Sequence, residues 1–382
     1  MNEEKTERVI SVVAPKKDVY SETFIRDHID NLPAKVLAIY GYPLPRETGE
    51  GESLSSSGLP HRILKTLGVN YWGYSEGWYQ LQSLKRYLLR NHVQAVLAEY
   101  GHTGVAMMEV CCEANIPLIV HFHGHDAYHS KILDNEGQSY PNLFENSAAL
   151  IVVSKDMHRQ LIQLGAPSEK IFINPCGVSV SQFNGADPAN SDPVFIFVGR
   201  FVDKKAPYLT LIAFNLVLES YPEARLLMIG DGPLLEACNQ LAQALAISGA
   251  VEFRGACTHD QVAKEMQLAR AFVQHSVRTS YGDSEGMPVA VLEASAAGLP
   301  VVATRHAGIK DVILDRETGF LIEEKDIHGM AEAMSQLVQN PSLAARFGKL
   351  GRERVKNEYS MTKSINGLWT IIETAIDRYE RD

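Results

Sequence analysis

Residues 184–193 read NGADPANSDP, and the reading of that stretch decides the fold. Asn, Gly, Asp, Ser and Pro nearly fill it, and these residues set turns rather than continue a helix or strand. On both sides the chain keeps a regular rhythm. Upstream, apolar runs at 9–13, 35–40, 95–99, 117–121 and 149–153 read as buried strands, with helical patterns such as 22–31 and 154–163 between them. Downstream the rhythm restarts with strands at 194–198, 225–229, 251–253, 271–274 and 300–303, and helices at 208–219 and 233–246. Such alternation predicts a parallel sheet covered on both faces. At 382 residues the chain is too long for one ordinary core. The expectation is an α/β protein of two doubly wound, Rossmann-like domains, 1–186 and 187–359, facing across a deep interdomain cleft. A C-terminal helix within 360–382 is expected to pack back on the first domain. Open parallel sheets bind ligands beyond the carboxyl ends of their strands, so the cleft is the expected site.

Composition excludes several functions. Hydrophobic residues make up 45% and charged residues 21%, an ordinary globular mixture. The formal net charge is -10 and no basic run is long enough to form a nucleic-acid-binding face. The five cysteines, Cys111, Cys112, Cys176, Cys238 and Cys257, form no C-x-x-C pair, which fits a reducing compartment. The first residues, MNEEKTER, lack the apolar core of a signal peptide, and no apolar run reaches membrane-spanning length. The expected location is cytoplasmic, with peripheral membrane contact left open and the oligomeric state undetermined.

Three segments in the second half carry chemistry. Gly199-Arg200-Phe201-Val202-Asp203-Lys204-Lys205 follows directly on a strand. Glycine permits a tight turn there, and Arg200 with Lys205 offers a fork and a point charge suited to a diphosphate. A solvated basic turn explains the same residues equally well. Gly230-Asp231-Gly232-Pro233 is a strand-to-helix turn, and it is not the G-x-G-x-x-G fingerprint of dinucleotide binding. Ser284-Glu285-Gly286-Met287-Pro288-Val289-Ala290-Val291-Leu292-Glu293 says most. A helix beginning at about Pro288 presents free N–H groups and a dipole that favour a phosphate. Glu285 and Glu293 lie about two turns apart, a spacing that lets two carboxylates grip separate hydroxyl pairs of one elongated ligand.

From Val198 to Gly319 the chain resembles the nucleotide-sugar-binding domain of family 4 glycosyltransferases, which have the GT-B architecture. The matching pieces keep the family's order: GR-x-V-x-x-K (199–205), GDGP (230–233), VEFRG (251–255), E-x7-E (285–293), AGLPVV (297–302) and TGFL (318–321). The resemblance implies that Gly199, Arg200 and Lys205 hold the donor diphosphate. It implies that Glu285 accepts hydroxyls of the transferred sugar and Glu293 those of the ribose. Backbone groups at Gly286, Met287 and Pro288 would meet phosphate or sugar, and Arg254 would lie near the base. The family works without a bound metal and retains anomeric configuration, so no cofactor is expected beyond the nucleotide-diphosphate sugar as co-substrate. No side chain reads as a nucleophile, and the expected mechanism is front-face displacement.

In the first half, Pro117-Leu-Ile-Val-His-Phe-His-Gly-His-Asp126 resembles the family's strand ending in His-Gly. His123 would then face the donor sugar. His121, His123 and His125 alternate on one strand face, but no carboxylate or cysteine arrangement accompanies them in sequence, and no metal site is expected. Acceptor-side candidates are Glu99, Tyr100, His102 and Asp126, with the aromatic residues at 71–74 and Trp78. Residues 47–58 read as a mobile loop. Several positions depart from the family: Pro15-Lys16-Lys17-Asp18 stands where a Gly-Gly loop is usual, His275 replaces Pro before Ser276, and Lys310 replaces a later Pro. Ser21-Glu-Thr-Phe-Ile25 resembles a subset associated with bacterial exopolysaccharide assembly.

The expected function is therefore transfer of a hexose-type sugar to a hydroxyl of a glycan, lipid-linked or small-molecule acceptor. Two alternatives share the fold: a GT-B epimerase or phosphorylase, and a non-catalytic sugar-nucleotide sensor.

Overall fold

The computed structural model describes residues 8–19, 22–54 and 76–381. They form two compact units, one drawn from the described residues within 1–153, 158–174 and 365–382, the other of residues 154–157 and 175–364.

The first unit is built on one seven-stranded sheet: β1 (Val9–Ala14), β2 (Lys35–Tyr40), β3 (Glu47–Thr48), β4 (Ala95–Glu99), β5 (Leu118–Phe122), β6 (Ala149–Val152) and β7 (Ile171–Ile173). The order is β3-β2-β1-β4-β5-β6-β7, and every neighbouring pair is parallel except β2 with β3. β4, β5 and β6 are buried along their whole length, as strands covered on both faces must be. Two of their residues break the apolar rule, Glu99 and His121. The chain reverses its direction of winding between β1 and β4, so Glu99 lies at the switch point where ligands usually enter such sheets.

The second unit holds β8 (Val194–Val198), β9 (Arg225–Ile229), β10 (Val251–Gly255), β11 (Ala271–Gln274), β12 (Val301–Thr304) and β13 (Gly319–Ile322). All are parallel, in the order β10-β9-β8-β11-β12-β13. This is the Rossmann order, with its switch point between β8 and β11. One face packs Phe195, Phe197, Phe214, Val273, Phe320 and Phe347 into a common core. Each such side chain contributes about 1.5–3 kcal/mol on burial.

Some boundaries differ from the expectation. The division falls between Asn174 and Pro175 rather than at residue 186. The turn-rich composition of 184–193 misplaces it because residues 175–186 already pack on the second unit, where Val178 bonds to Tyr359 and Met361, and Ala186 to Ala297. The helix Met361–Tyr379 belongs to the first unit from Ile365 onward. The strands β3 and β7 went unread because two or three residues show no periodicity. Of the expected loop at 47–58 the described part contains β3. Residues 55–58 and the aromatic residues 71–74 lie outside the described residues. Ser154 caps the helix Lys155–Gln163, its Oγ accepting from the Met157 N–H at 3.2 Å. All five cysteines are free thiols. Among the described residues no helix is long and apolar enough to cross a membrane.

Candidate functional site

In the second unit the loops leaving β8 and β11 are bonded to each other, the Val277 N–H donating to Lys204 O at 2.8 Å. Asp203–Lys205 is a single 3-10 turn. From it two successive lysines reach the loop before the helix Val289–Ala297. Lys205 Nζ donates to Glu285 Oε1 at 2.9 Å, and Lys204 Nζ donates to Asp283 Oδ1 at 3.2 Å and to Ser284 O at 3.1 Å. Gly199 makes room for the first contact, because a Cβ there would sit 2.7 Å from Lys205 Cδ. Ser276 Oγ also donates to Glu285 Oε1, at 3.3 Å, and accepts from Gln274 Nε2 at 2.7 Å. Burial alone would raise the Glu285 pKa, but Lys205 and Lys204 outweigh it and hold the carboxyl below its ordinary value. Its other oxygen, Oε2, has no donor among the described residues.

Behind this pair stands His306. The Glu285 N–H donates to its Nε2 at 3.1 Å, so the ring proton sits on Nδ1, which lies 2.5 Å from Glu324 Oε1. The Glu285 backbone is thereby fixed from the side opposite Lys205. The helix start is fixed too. A Cβ on Gly308 would meet Gly286 O at 2.3 Å, and the Gly308 N–H instead donates to that oxygen at 3.1 Å. The N–H groups of Gly286, Met287, Val289 and Ala290 find no acceptor among the described residues. Donors gathered at a helix N-terminus form an anion site. Glu293, buried on the same helix, has Oε1 3.5 Å from His259 Nδ1.

The structure thus brings Gly199, Lys205, Glu285, Gly286, Met287 and Pro288 together. Arg200 adjoins them in sequence and is exposed, and its guanidinium makes no hydrogen bond or ion pair with a described residue. Arg254 lies apart from these contacts. Phe253 turns inward against Phe201, so the next side chain points outward, where Glu252 and Glu265 bind the guanidinium. There Arg254 lines a cavity with Val194, Arg225 and Val251, at the starts of their strands, and none of the residues around Lys205 lines it. Sequence reading missed Lys204, Asp283, His306 and Glu324. The pairing of successive lysines with Asp283 and Glu285 was their one visible signal.

In the first unit Glu99 is fully buried. Oε1 is bonded to His28 Nδ1 and Oε2 to His123 Nε2, each at 2.7 Å. Burial pushes the Glu99 carboxyl up, but His28 and His123 more than reverse this and hold it well below the usual range. Phe24 stacks on His123 at 4.1 Å between ring centroids. Both oxygens of Asp126 are spent on backbone donors: Oδ1 accepts from His123 and Gly124 at 3.0 Å, Oδ2 from Gly101 at 2.8 Å. Asp126 therefore shapes the His-Gly turn, and Glu99 holds two imidazoles in place. Tyr100 leaves β4 at φ 78°, stacks on His102 at 5.4 Å, and has its phenol pKa raised by burial and then by Glu22. The face of alternating histidines divides. His121 and His123 have ring centroids 4.3 Å apart, whereas His125 is exposed and packs on His129. The carboxylate missing from the sequence pattern is Glu99, from the neighbouring strand. Trp78 is exposed and packs edge-on against Tyr79.

Two family profiles match the chain almost end to end: "Glycosyltransferase Family 4" over residues 22–182 and "Glycosyl transferases group 1" over residues 181–354. The chain belongs to the family 4 glycosyltransferases. This family 4 chain is 29% identical over 257 residues to the amylovoran biosynthesis glycosyltransferase of Erwinia amylovora, covering 66% of this chain and 62% of that protein. It is 28% identical over 242 residues to a putative colanic acid biosynthesis glycosyltransferase of Escherichia coli K12, covering 63% and 60%. The chain therefore spans less than two thirds of the length of these curated relatives. Among solved structures, the Anabaena protein HepE in complex with UDP and glucose superposes with TM-score 0.75 at 14% identity, covering 96% of this chain and all of that one. That likeness fixes the fold as GT-B.

Proposed function

We propose that this family 4 chain is a retaining, metal-independent hexosyltransferase that uses a nucleotide-diphosphate sugar and a hydroxyl acceptor on a glycan, a lipid-linked glycan or a small molecule. The observation that carries the reading is the Lys205–Glu285 pair set beside a helix start with unused N–H groups. In this reading the diphosphate lies against Lys205, Arg200 and those N–H groups. They supply the positive potential that a leaving diphosphate needs, in place of a cation. Glu285 Oε2 accepts a hydroxyl of the sugar, and Glu293 holds the ribose. The bond from the anomeric carbon to the diphosphate oxygen breaks. That oxygen takes the proton of the acceptor hydroxyl, and the new glycosidic bond forms on the same face. The protein contributes positioning and electrostatics, with no covalent step.

The first unit supplies His123 as a sugar contact, with Tyr100 and His102 as acceptor-side candidates. The relatives' roles in amylovoran and colanic acid biosynthesis support a glycan or lipid-linked acceptor. The competing reading is a sugar-nucleotide sensor, whose binding residues would be the same. The test is turnover of a panel of nucleotide-diphosphate hexoses by purified protein, with the product anomer read by NMR. A sensor returns the donor unchanged. If Arg200→Ala and Lys205→Ala both stay within about threefold of wild-type turnover, the assigned roles are wrong.

A further inference from the structure

Glu99 carries its charge into the interior of the first unit, and its ion-pair partners among the described residues are three imidazoles rather than a Lys or Arg. His28 and His123 hydrogen-bond to it. His121 does not: its Nδ1 is 3.8 Å from Glu99 Oε2, too far for a hydrogen bond. Both ring nitrogens of His121 are buried without a hydrogen-bond partner. An unsatisfied buried polar group costs about 1–3 kcal/mol, and native interiors hold few. Neither ring nitrogen is engaged, so one is available to a ligand inside the cluster. The rings of His28 and His121 lie stacked with centroids 5.1 Å apart, so both present an edge to the same carboxylate. One ligand atom from each of His28, Glu99 and His121 lies within 4.8 Å of the other two.

We propose that His28, Glu99 and His121 bind one divalent transition-metal ion, Zn2+ in class, inside the first unit, with His123 orienting the carboxylate from outside the coordination sphere. Two imidazole nitrogens and a carboxylate oxygen suit zinc and its neighbours, whereas calcium and magnesium take oxygen ligands. Ligands on a tetrahedral zinc stand roughly 3.3 Å apart, given bonds of about 2.0–2.1 Å. His121 Nδ1 stands 3.8 Å from Glu99 Oε2 and His28 Nδ1 2.7 Å from Oε1, so the side chains must shift and the carboxylate turn to present a single ion with all three ligands. His28 gives up its hydrogen bond to Glu99 and binds the metal through Nδ1, the Nδ1 proton passing to Nε2 by a change of tautomer or, from a doubly protonated ring, being released to solvent. The hydrogen bond from His123 to the ligating carboxylate is the kind of outer contact that fixes such ligands. The ion ties the helix Thr23–Asn31 to β4 and β5. It takes no part in the diphosphate chemistry of the second unit.

The full-length protein, stripped with chelator and gel-filtered after exposure to Zn2+ or Co2+, tests this. Wild type is expected to retain about one metal per chain and to gain thermal stability. Its Co2+ form should show the intense visible bands of a four-coordinate nitrogen–oxygen site. His28→Gln and His121→Gln should each weaken retention at least tenfold. A wild type that retains no stoichiometric metal overturns the proposal, as does a folded His121→Gln that retains as much as wild type. A Co2+ spectrum of the weak octahedral kind also overturns it, whatever the variants do.

Discussion

Lys205 Nζ stands 2.9 Å from Glu285 Oε1 although 80 residues separate the two in sequence. Both side chains are nearly buried, and the partners left to each are unequal. Glu285 keeps Ser276 and the nearby Lys204, whereas Lys205 has no second acceptor among the described residues. Glu285→Ala should therefore cost roughly 3 kcal/mol of stability by stranding a buried ammonium, and Lys205→Ala should cost less. Activity should rank the other way, with Lys205→Ala losing about 10²-fold in kcat as a missing stabiliser of the leaving group. Urea denaturation and donor turnover on the same two variants check both orders.

Gly199 and Gly308 should differ in their tolerance of alanine. At Gly199 the added Cβ meets the flexible stem of Lys205, so Gly199→Ala should fold nearly as well as wild type yet bind donor about tenfold more weakly. At Gly308 it meets the backbone oxygen of Gly286, which cannot move without the whole loop. Gly308→Ala should lose stability and donor binding together. Thermal melts with and without donor separate the two cases.

His275 should make the second unit sensitive to acid. Its Nε2 accepts from the Lys325 N–H at 2.8 Å, and burial brings its pKa down to about 4, despite the opposing charges of Glu324 and Asp326. The unfolded chain takes up this proton first as pH falls. The stabilisation is therefore complete above about pH 6.5 and is lost progressively between there and about pH 4, amounting to about 3 kcal/mol at most. His275→Gln can keep the acceptor and remove the titration. Comparing wild type and variant at pH 7 and pH 5 should show a flatter dependence in the variant.

Asp126→Ala should destabilise the first unit by about 3–5 kcal/mol, because three backbone N–H groups, two of them buried and one part-buried, lose a charged acceptor at once. Asp126→Asn retains an acceptor oxygen and should cost less. Chemical denaturation measures both.

The Rossmann layers were legible in the sequence because fully buried parallel strands are continuous apolar runs, as at 194–198 and 149–152. Gly199, Lys205 and Glu285 were legible as members of a diphosphate and sugar pattern. Their mutual contact was not, since nothing local couples a turn after β8 to a loop after β11. The Glu99 cluster was hidden for the same reason: His28 lies on a helix and Glu99 on a different strand from His121. The partners of Arg254 were hidden too, since the alternation of β10, with Phe253 inward, turns its side chain toward Glu252 and the distant Glu265.

The account's central claim is that the second unit holds a donor diphosphate at Lys205 and the helix start. Calorimetric titration of uridine- and guanosine-diphosphate hexoses into wild type and Lys205→Ala tests it most directly. The account predicts that at least one donor binds wild type and that the variant binds it ten- to a hundredfold more weakly, a loss of about 1.4–2.7 kcal/mol. Equal affinity of the two proteins for that donor, or binding of none by wild type, would contradict it.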